Sequence, residues 1–186
     1  MERFSEPSKL MHQITRENIL DTHITQNIET TEHYTGPHKF EMEAWISCAP
    51  FERLLDMKIV EASDGRATLT MPFLIDFAQG GGLMHGGALV SLADTAVVMA
   101  IKSIIAPKTH FATISLETKF LYPVKQGVVT AKARVMNQSG KILQGFATVY
   151  NEENRAVLEL SSTFKMAKEE RIRDIAFQDD VDFNPD

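Results

Sequence analysis

Cysteine is almost missing from the chain. Cys48 stands alone, so no internal disulfide and no cysteine metal cage can form, and the protein reads as intracellular. Clustered positive charge is missing too. No Lys/Arg block exceeds two or three residues and the net charge is -6, which speaks against a nucleic-acid surface. Long uninterrupted apolar runs are also lacking. The most apolar stretch, Ala88 to Ile101, is broken by Asp94 and closed by Lys102, and the N-terminal "MERFSEPSKLMHQITREN" holds no apolar core of signal-peptide length. Neither membrane insertion nor export is expected, and the expected location is the cytoplasm.

What is present suits one domain: 186 residues with 44% hydrophobic content can build one sizeable core. Residues 1–40 are polar, with apolar residues spaced by four, and form either docking helices or a mobile extension. The domain proper spans 41–166, and 167–186 is an acidic tail. Within the domain, "FEMEAWISCAPFERLLD" predicts a short amphipathic helix and turn. "MKIVEASDGRATLTMP" predicts two strands joined at Asp64-Gly65, the second closed by Pro72. A buried helix is expected from about His85 to Ile105, ended by Pro107. Four strands should follow, the first with Ala112, Ile114, Leu116 and Phe120 on one face and Thr113, Ser115 and Glu117 on the other. The remaining three fall near 128–137, 141–151 and 156–166. Two strands, one long apolar helix and four strands make an α+β pattern, an antiparallel sheet wrapped round a single helix.

The chemistry concentrates in "GGGLMHGGALVSLADTAVVMAI", residues 80–101. Gly86 and Gly87 open the helix, and its first N–H groups can either receive a developing oxyanion or simply permit close packing. With no second histidine at ligand spacing, no metal is expected, and His85 suits a cap or structural hydrogen bond ahead of acid/base work. Asp94 lies in the apolar run, where a carboxylate loses hydration. It is either a buried hydrogen-bonding anchor or the nucleophile or general base of an acyl-transfer reaction. Eight residues of helix separate Gly86 from Asp94 by roughly 12 Å, too far for both to act on one carbon. They can cooperate only from two chains, in a homodimer with two composite sites.

The run "Gln79…His85-Gly86-Gly87-Ala88…Leu92-Ala93-Asp94-Thr95-Ala96" resembles the hot-dog fold acyl-CoA thioesterases of the phenylacetate-pathway and 4-hydroxybenzoyl-CoA thioesterase groups. The likeness extends over most of residues 49–166. It implies a hot-dog fold, an acyl-CoA substrate with coenzyme A as its carrier and no separate cofactor, and a homodimer or a dimer of dimers. It also implies site roles. Gly86 would polarise the thioester carbonyl, Asp94 would act as nucleophile or base, and Gln79 would assist at the thioester, with His85 and Gly87 completing the motif. Gln79 follows one subgroup and Asp94 another. Val98, one turn beyond the acid, cannot hold a water, so the hydroxyl role falls to Thr113 on the next strand, with Ser115 as the alternative. Coenzyme A contacts would come from Lys125 and from Ser139-Gly140-Lys141. Phe73, Leu74, Phe77, Met84, Met99 and Phe111 are candidate pocket residues for an apolar or aromatic acyl group. A hydratase or dehydratase of the same fold and a non-catalytic acyl-CoA binding module are the alternative functions.

Overall fold

The computed structural model describes residues 41–167. The expectations for residues 1–40 and for the acidic tail fall outside the described residues. In chain order the elements are α1 (Pro50–Leu54), β1 (Lys58–Ser63), β2 (Arg66–Pro72), α2 (Gly86–Lys102), β3 (Phe111–Phe120), β4 (Val128–Ser139), β5 (Ile142–Tyr150) and β6 (Ala156–Met166). A 3₁₀ turn, Ile75–Phe77, precedes α2. The six strands form one antiparallel sheet in the order β1-β2-β4-β5-β6-β3. It folds round α2, giving the expected α+β hot-dog architecture.

Local chemistry explains the turns. Asp64 and Gly65 both take positive φ, +49° and +72°, the pair of left-handed residues that a tight two-residue hairpin needs. The Gly65 N–H then donates to Ser103 Oγ at 2.9 Å, tying that hairpin to the end of α2. Helix α2 itself stops at Lys102, three residues short of the expected Ile105. Of its last carbonyls, Met99 O accepts the Ser103 N–H, and Ile101 O accepts both the Ile104 N–H, in a tighter turn, and the Ile105 N–H.

The core lies between α2 and the concave face of the sheet. Ala67, Leu69 and Met71 of β2 alternate inward, as do Val129, Ala131 and Ala133 of β4, and Leu158, Leu160 and Phe164 of β6. Where α2 crosses β5 the sheet carries Gly145. A methyl group there would collide with Val97, so the helix rests on bare backbone. Leu92, Ala93, Ala96, Val97, Ala100 and Ile101 are completely buried. Helix α2 is not apolar on every side, however. Ser91, Asp94, Val98 and Lys102, spaced 3, 4 and 4 apart, form a half-exposed stripe that the sheet leaves uncovered. Among the described residues no helix is long and apolar enough to cross a membrane.

Strand β3 departs from the expected alternation. Thr113 lies opposite Phe164 and Ser115 opposite Thr163, so Ile114 is an extra residue without a partner on β6. The bulge reverses the faces beyond it. Leu116, Thr118 and Phe120 pair with Ser162, Leu160 and Leu158 and share the helix-facing side with Thr113. Ser115 and Glu117 point the other way. The grouping of Ala112 and Ile114 with Leu116 and Phe120 is therefore corrected, because simple period-two counting cannot register a bulge.

Candidate active site

The loop before α2 folds back on itself. Ala78 bridges to Met84, Gln79 N–H donates to Leu83 O at 2.8 Å, and Gly82 turns the chain with φ +78°. The Gln79 carbonyl oxygen Oε1 accepts the Gly81 N–H at 2.7 Å, which pins the side chain across the glycine loop. His85 N–H donates to Phe77 O at 2.7 Å, setting the residue in place as the first cap of α2.

The His85 ring accepts the Gly87 N–H at Nδ1, 2.9 Å away, so its proton sits on Nε2. This is the cap expected of it. Both helix-opening glycines have steric reasons to be glycine. A Cβ at Gly87 would come within 2.9 Å of the His85 ring, and one at Gly86 within 2.9 Å of Phe120. The packing explanation thus holds for each. It does not use up the Gly86 amide, for which no acceptor is present among the described residues.

Asp94 is half-buried on the open stripe of α2. Thr113 Oγ1 lies 3.4 Å from each of its carboxylate oxygens, a long symmetrical contact beyond good O–H···O distance. Loss of hydration pushes the Asp94 carboxyl above the usual aspartate range, and the Thr113 hydroxyl pulls weakly the other way. Ser115 is turned to the opposite side of the sheet by the Ile114 bulge. Its proposed sharing of a face with Thr113 is corrected accordingly.

The remaining candidates separate into two ends. Gly86 sits beside Phe120, and Met84 N–H donates to Val124 O, so the helix start adjoins Lys125. Lys125 lines a cleft of about 470 Å³ in which the Arg155 guanidinium stacks 3.3 Å over the Tyr122 ring. At the other end Gly140 turns the β4–β5 hairpin with φ +56°, and Lys141 Nζ donates to Ala167 O at 3.4 Å. The intervening strand β4 has 12 residues, roughly 40 Å of extended chain. Thr113 and Asp94 lie toward the Lys141 end, since Thr113 pairs with Phe164, which pairs with Leu143.

A second cleft, about 280 Å³, begins at Thr113 and is walled by Trp45, Val98, Lys102, Phe111 and Phe164. Only Phe111 of the expected pocket residues lines it. Phe77, Met84 and Met99 are buried in the core instead, so their apolar character serves packing. Trp45 and Lys102 escaped notice, although the four-residue steps Asp94, Val98, Lys102 already place that lysine on the helix face of the acid. Among the described residues no group of three or more His, Cys, Asp or Glu side chains converges as a metal site.

On a hot-dog sheet, α2 thus carries a half-buried carboxylate with a hydroxyl partner and, roughly 12 Å away at its start, an uncommitted amide. The family model for the thioesterase superfamily matches residues 81–158. A Bacillus subtilis protein named "Putative esterase ComA2" is 30% identical over 116 residues, 61% of this chain and 91% of its own length. "Putative esterase SSO2140" of Saccharolobus solfataricus is 26% identical over 91 residues, 49% of this chain; the match spans 64% of that relative. Among solved structures, conserved protein PA5202 from Pseudomonas aeruginosa superposes with a TM-score of 0.63 at 26% identity, covering 66% of this chain and 97% of that one. The chain belongs to the thioesterase superfamily.

Proposed function

We propose that this chain is an acyl-CoA thioesterase, hydrolysing the thioester to a free acid and coenzyme A. The observation that carries this is the Asp94–Thr113 pair on the uncovered stripe of α2. Its carboxylate is half-desolvated, with no cation paired to it among the described residues. A carboxylate so placed is a stronger base than one in water. It serves either as nucleophile, forming a mixed anhydride that water opens, or as general base toward an attacking water positioned by Thr113. In either route the sulfur leaves as coenzyme A thiol and the oxygen of water ends in the acid. The Gly86 N–H polarises the carbonyl as negative charge develops on its oxygen, and Gln79, whose Oε1 accepts the Gly81 N–H, keeps its Nε2 donors for the thioester.

Because Gly86 and Asp94 lie roughly 12 Å apart along α2, the site is composed from two chains. Gly86 and Lys125 come from one, Asp94, Thr113 and Lys141 from the other. That arrangement also gathers the two lysine groups that one chain holds at opposite ends. The apolar side chains left open along β3, among them Leu116 at 45% and Phe120 at 58% exposure, are what a second copy would cover.

Free-thiol release from a panel of acyl-CoAs, run beside hydration of enoyl-CoAs, tests the proposal. Thiol release without hydration is expected. Hydration of the double bond with the thioester intact would make the protein a hydratase, and tight binding without either reaction would make it a binding module.

A further inference from the structure

The cleft that begins at Thr113 has a chemistry of its own at its far end. From Asp94 the open stripe of α2 runs through Val98 to Lys102, two turns and roughly 12 Å along the helix. Val98, Phe111 and Phe164 make the middle apolar, with the two phenyl rings edge to face at a centroid distance of 5.9 Å. Trp45 closes the end. Its indole N–H donates to Lys102 O at 2.9 Å, which fixes the ring, and the Lys102 ammonium lies 5.1 Å from the ring centroid. The other polar side chains lining that end are His110 and Thr109. No acid lines the cleft.

Resting on the thioesterase proposal above, we infer that this cleft receives an acyl group with an apolar stem and a carboxylate at its far end, and that Lys102 selects for that carboxylate. A space of about 280 Å³ holds roughly nine water volumes, which suits a straight chain of about six to eight carbons. The Lys102 ammonium is half-buried and partly stripped of water, which lowers its proton affinity, while the Glu52 and Cys48 side chains favour the charged form. Glu52 does not line the cleft and forms no ion pair with Lys102 among the described residues. The ammonium therefore keeps donors for an incoming anion. A partly desolvated charge-assisted hydrogen bond of this kind discriminates by roughly tenfold or more. A plain alkyl end offers it nothing and leaves the ammonium covered but unsatisfied, so a neutral acyl chain of equal length is the disfavoured substrate.

The test compares adipoyl-CoA with hexanoyl-CoA, and suberoyl-CoA with octanoyl-CoA. For the full-length protein the kcat/KM ratio, carboxylated over plain, should be about ten or more in at least one pair. Lys102→Met should collapse that ratio to one or below, and Lys102→Arg should keep it. Equal or inverted ratios in the unaltered protein, or a preference that Lys102→Met leaves intact, would overturn the assignment. Calorimetric binding of the same four thioesters to Asp94→Asn and to Asp94→Asn/Lys102→Met separates the two levels of inference. A Lys102-dependent binding preference in those variants, with the unaltered protein hydrolysing none of the four, supports the cleft assignment and overturns the hydrolytic one. Hydrolysis of all four at similar efficiency does the reverse.

Discussion

Thr113 and Ser115 stand two residues apart on β3, yet they face opposite sides of the sheet. The unpaired Ile114 between them takes up the extra half-period. Only Thr113 reaches Asp94, at 3.4 Å to both oxygens. Thr113→Val should lower kcat by roughly tenfold to a hundredfold, less than loss of a general base, while Ser115→Ala stays within about twofold. Removing the hydroxyl also removes what holds the Asp94 carboxyl down, so the acid limb of the kcat profile should move to higher pH in Thr113→Val. A larger loss for Ser115→Ala, or an acid limb that moves down, would contradict this assignment.

Asp94→Asn should cost about 10²–10⁴ in kcat and at the same time raise the melting temperature at neutral pH. Desolvation raises the folded-state carboxyl above its unfolded value, so between those two values the folded chain binds more protons than the unfolded one. Stability falls as pH rises through that interval and stays lower above it. Activity runs oppositely, lost on acidification as the raised carboxyl protonates. The stability advantage of Asp94→Asn should therefore vanish in acid below the ordinary aspartate range. Differential scanning calorimetry across pH checks it; an Asn variant that melts lower at neutral pH would show that the carboxylate is a structural anchor.

Composite sites can be tested by mixing two inactive proteins. Gly86→Pro deletes the amide proton at a first-turn position that accepts proline. The added ring meets Phe120, whose side chain is exposed enough to swing aside. Combined with Asp94→Asn chains in equal amounts, randomly re-paired dimers are half mixed, each with one intact site. Roughly a quarter of the original activity should return. Mass spectrometry of differently tagged chains verifies the exchange, and exchanged but inactive dimers would place each site within one chain.

Gly145→Ala should destabilise the protein by about 1–3 kcal/mol, because its methyl group enters the space of Val97. Val97→Ala in the same chain should recover much of that loss, a coupling that chemical denaturation of the two single variants and the double variant measures.

Much of this was visible in the residue pattern. The hairpin at Asp64-Gly65, the helix opened by His85 and the inward alternation of Ala67, Leu69 and Met71 are local signals, set by turn chemistry and side-chain period. The Ile114 bulge was not, since it exists only relative to a partner strand some fifty residues away. Lys125 and Lys141 looked like members of one group because both follow β3, but the length of β4 carries them to opposite ends. The Gly86 amide and Asp94 could be placed from helix rise alone. The wall that Trp45 forms against Lys102 depends on a contact across 57 residues, and no spacing rule announces it.

The two outer strands of the described sheet are unlike. Beyond its bulge at Val60, β1 keeps only Glu61 to Ser63 in register with β2, whereas β3 keeps Ser115 to Phe120 in register with β6 beyond its own bulge at Ile114. A chain with two smooth edges could add copies at both and grow into a fibre. In the proposed dimer a copy joined along β3 would leave only the short, kinked β1 strands at the margins, and growth of the sheet would stop at two chains.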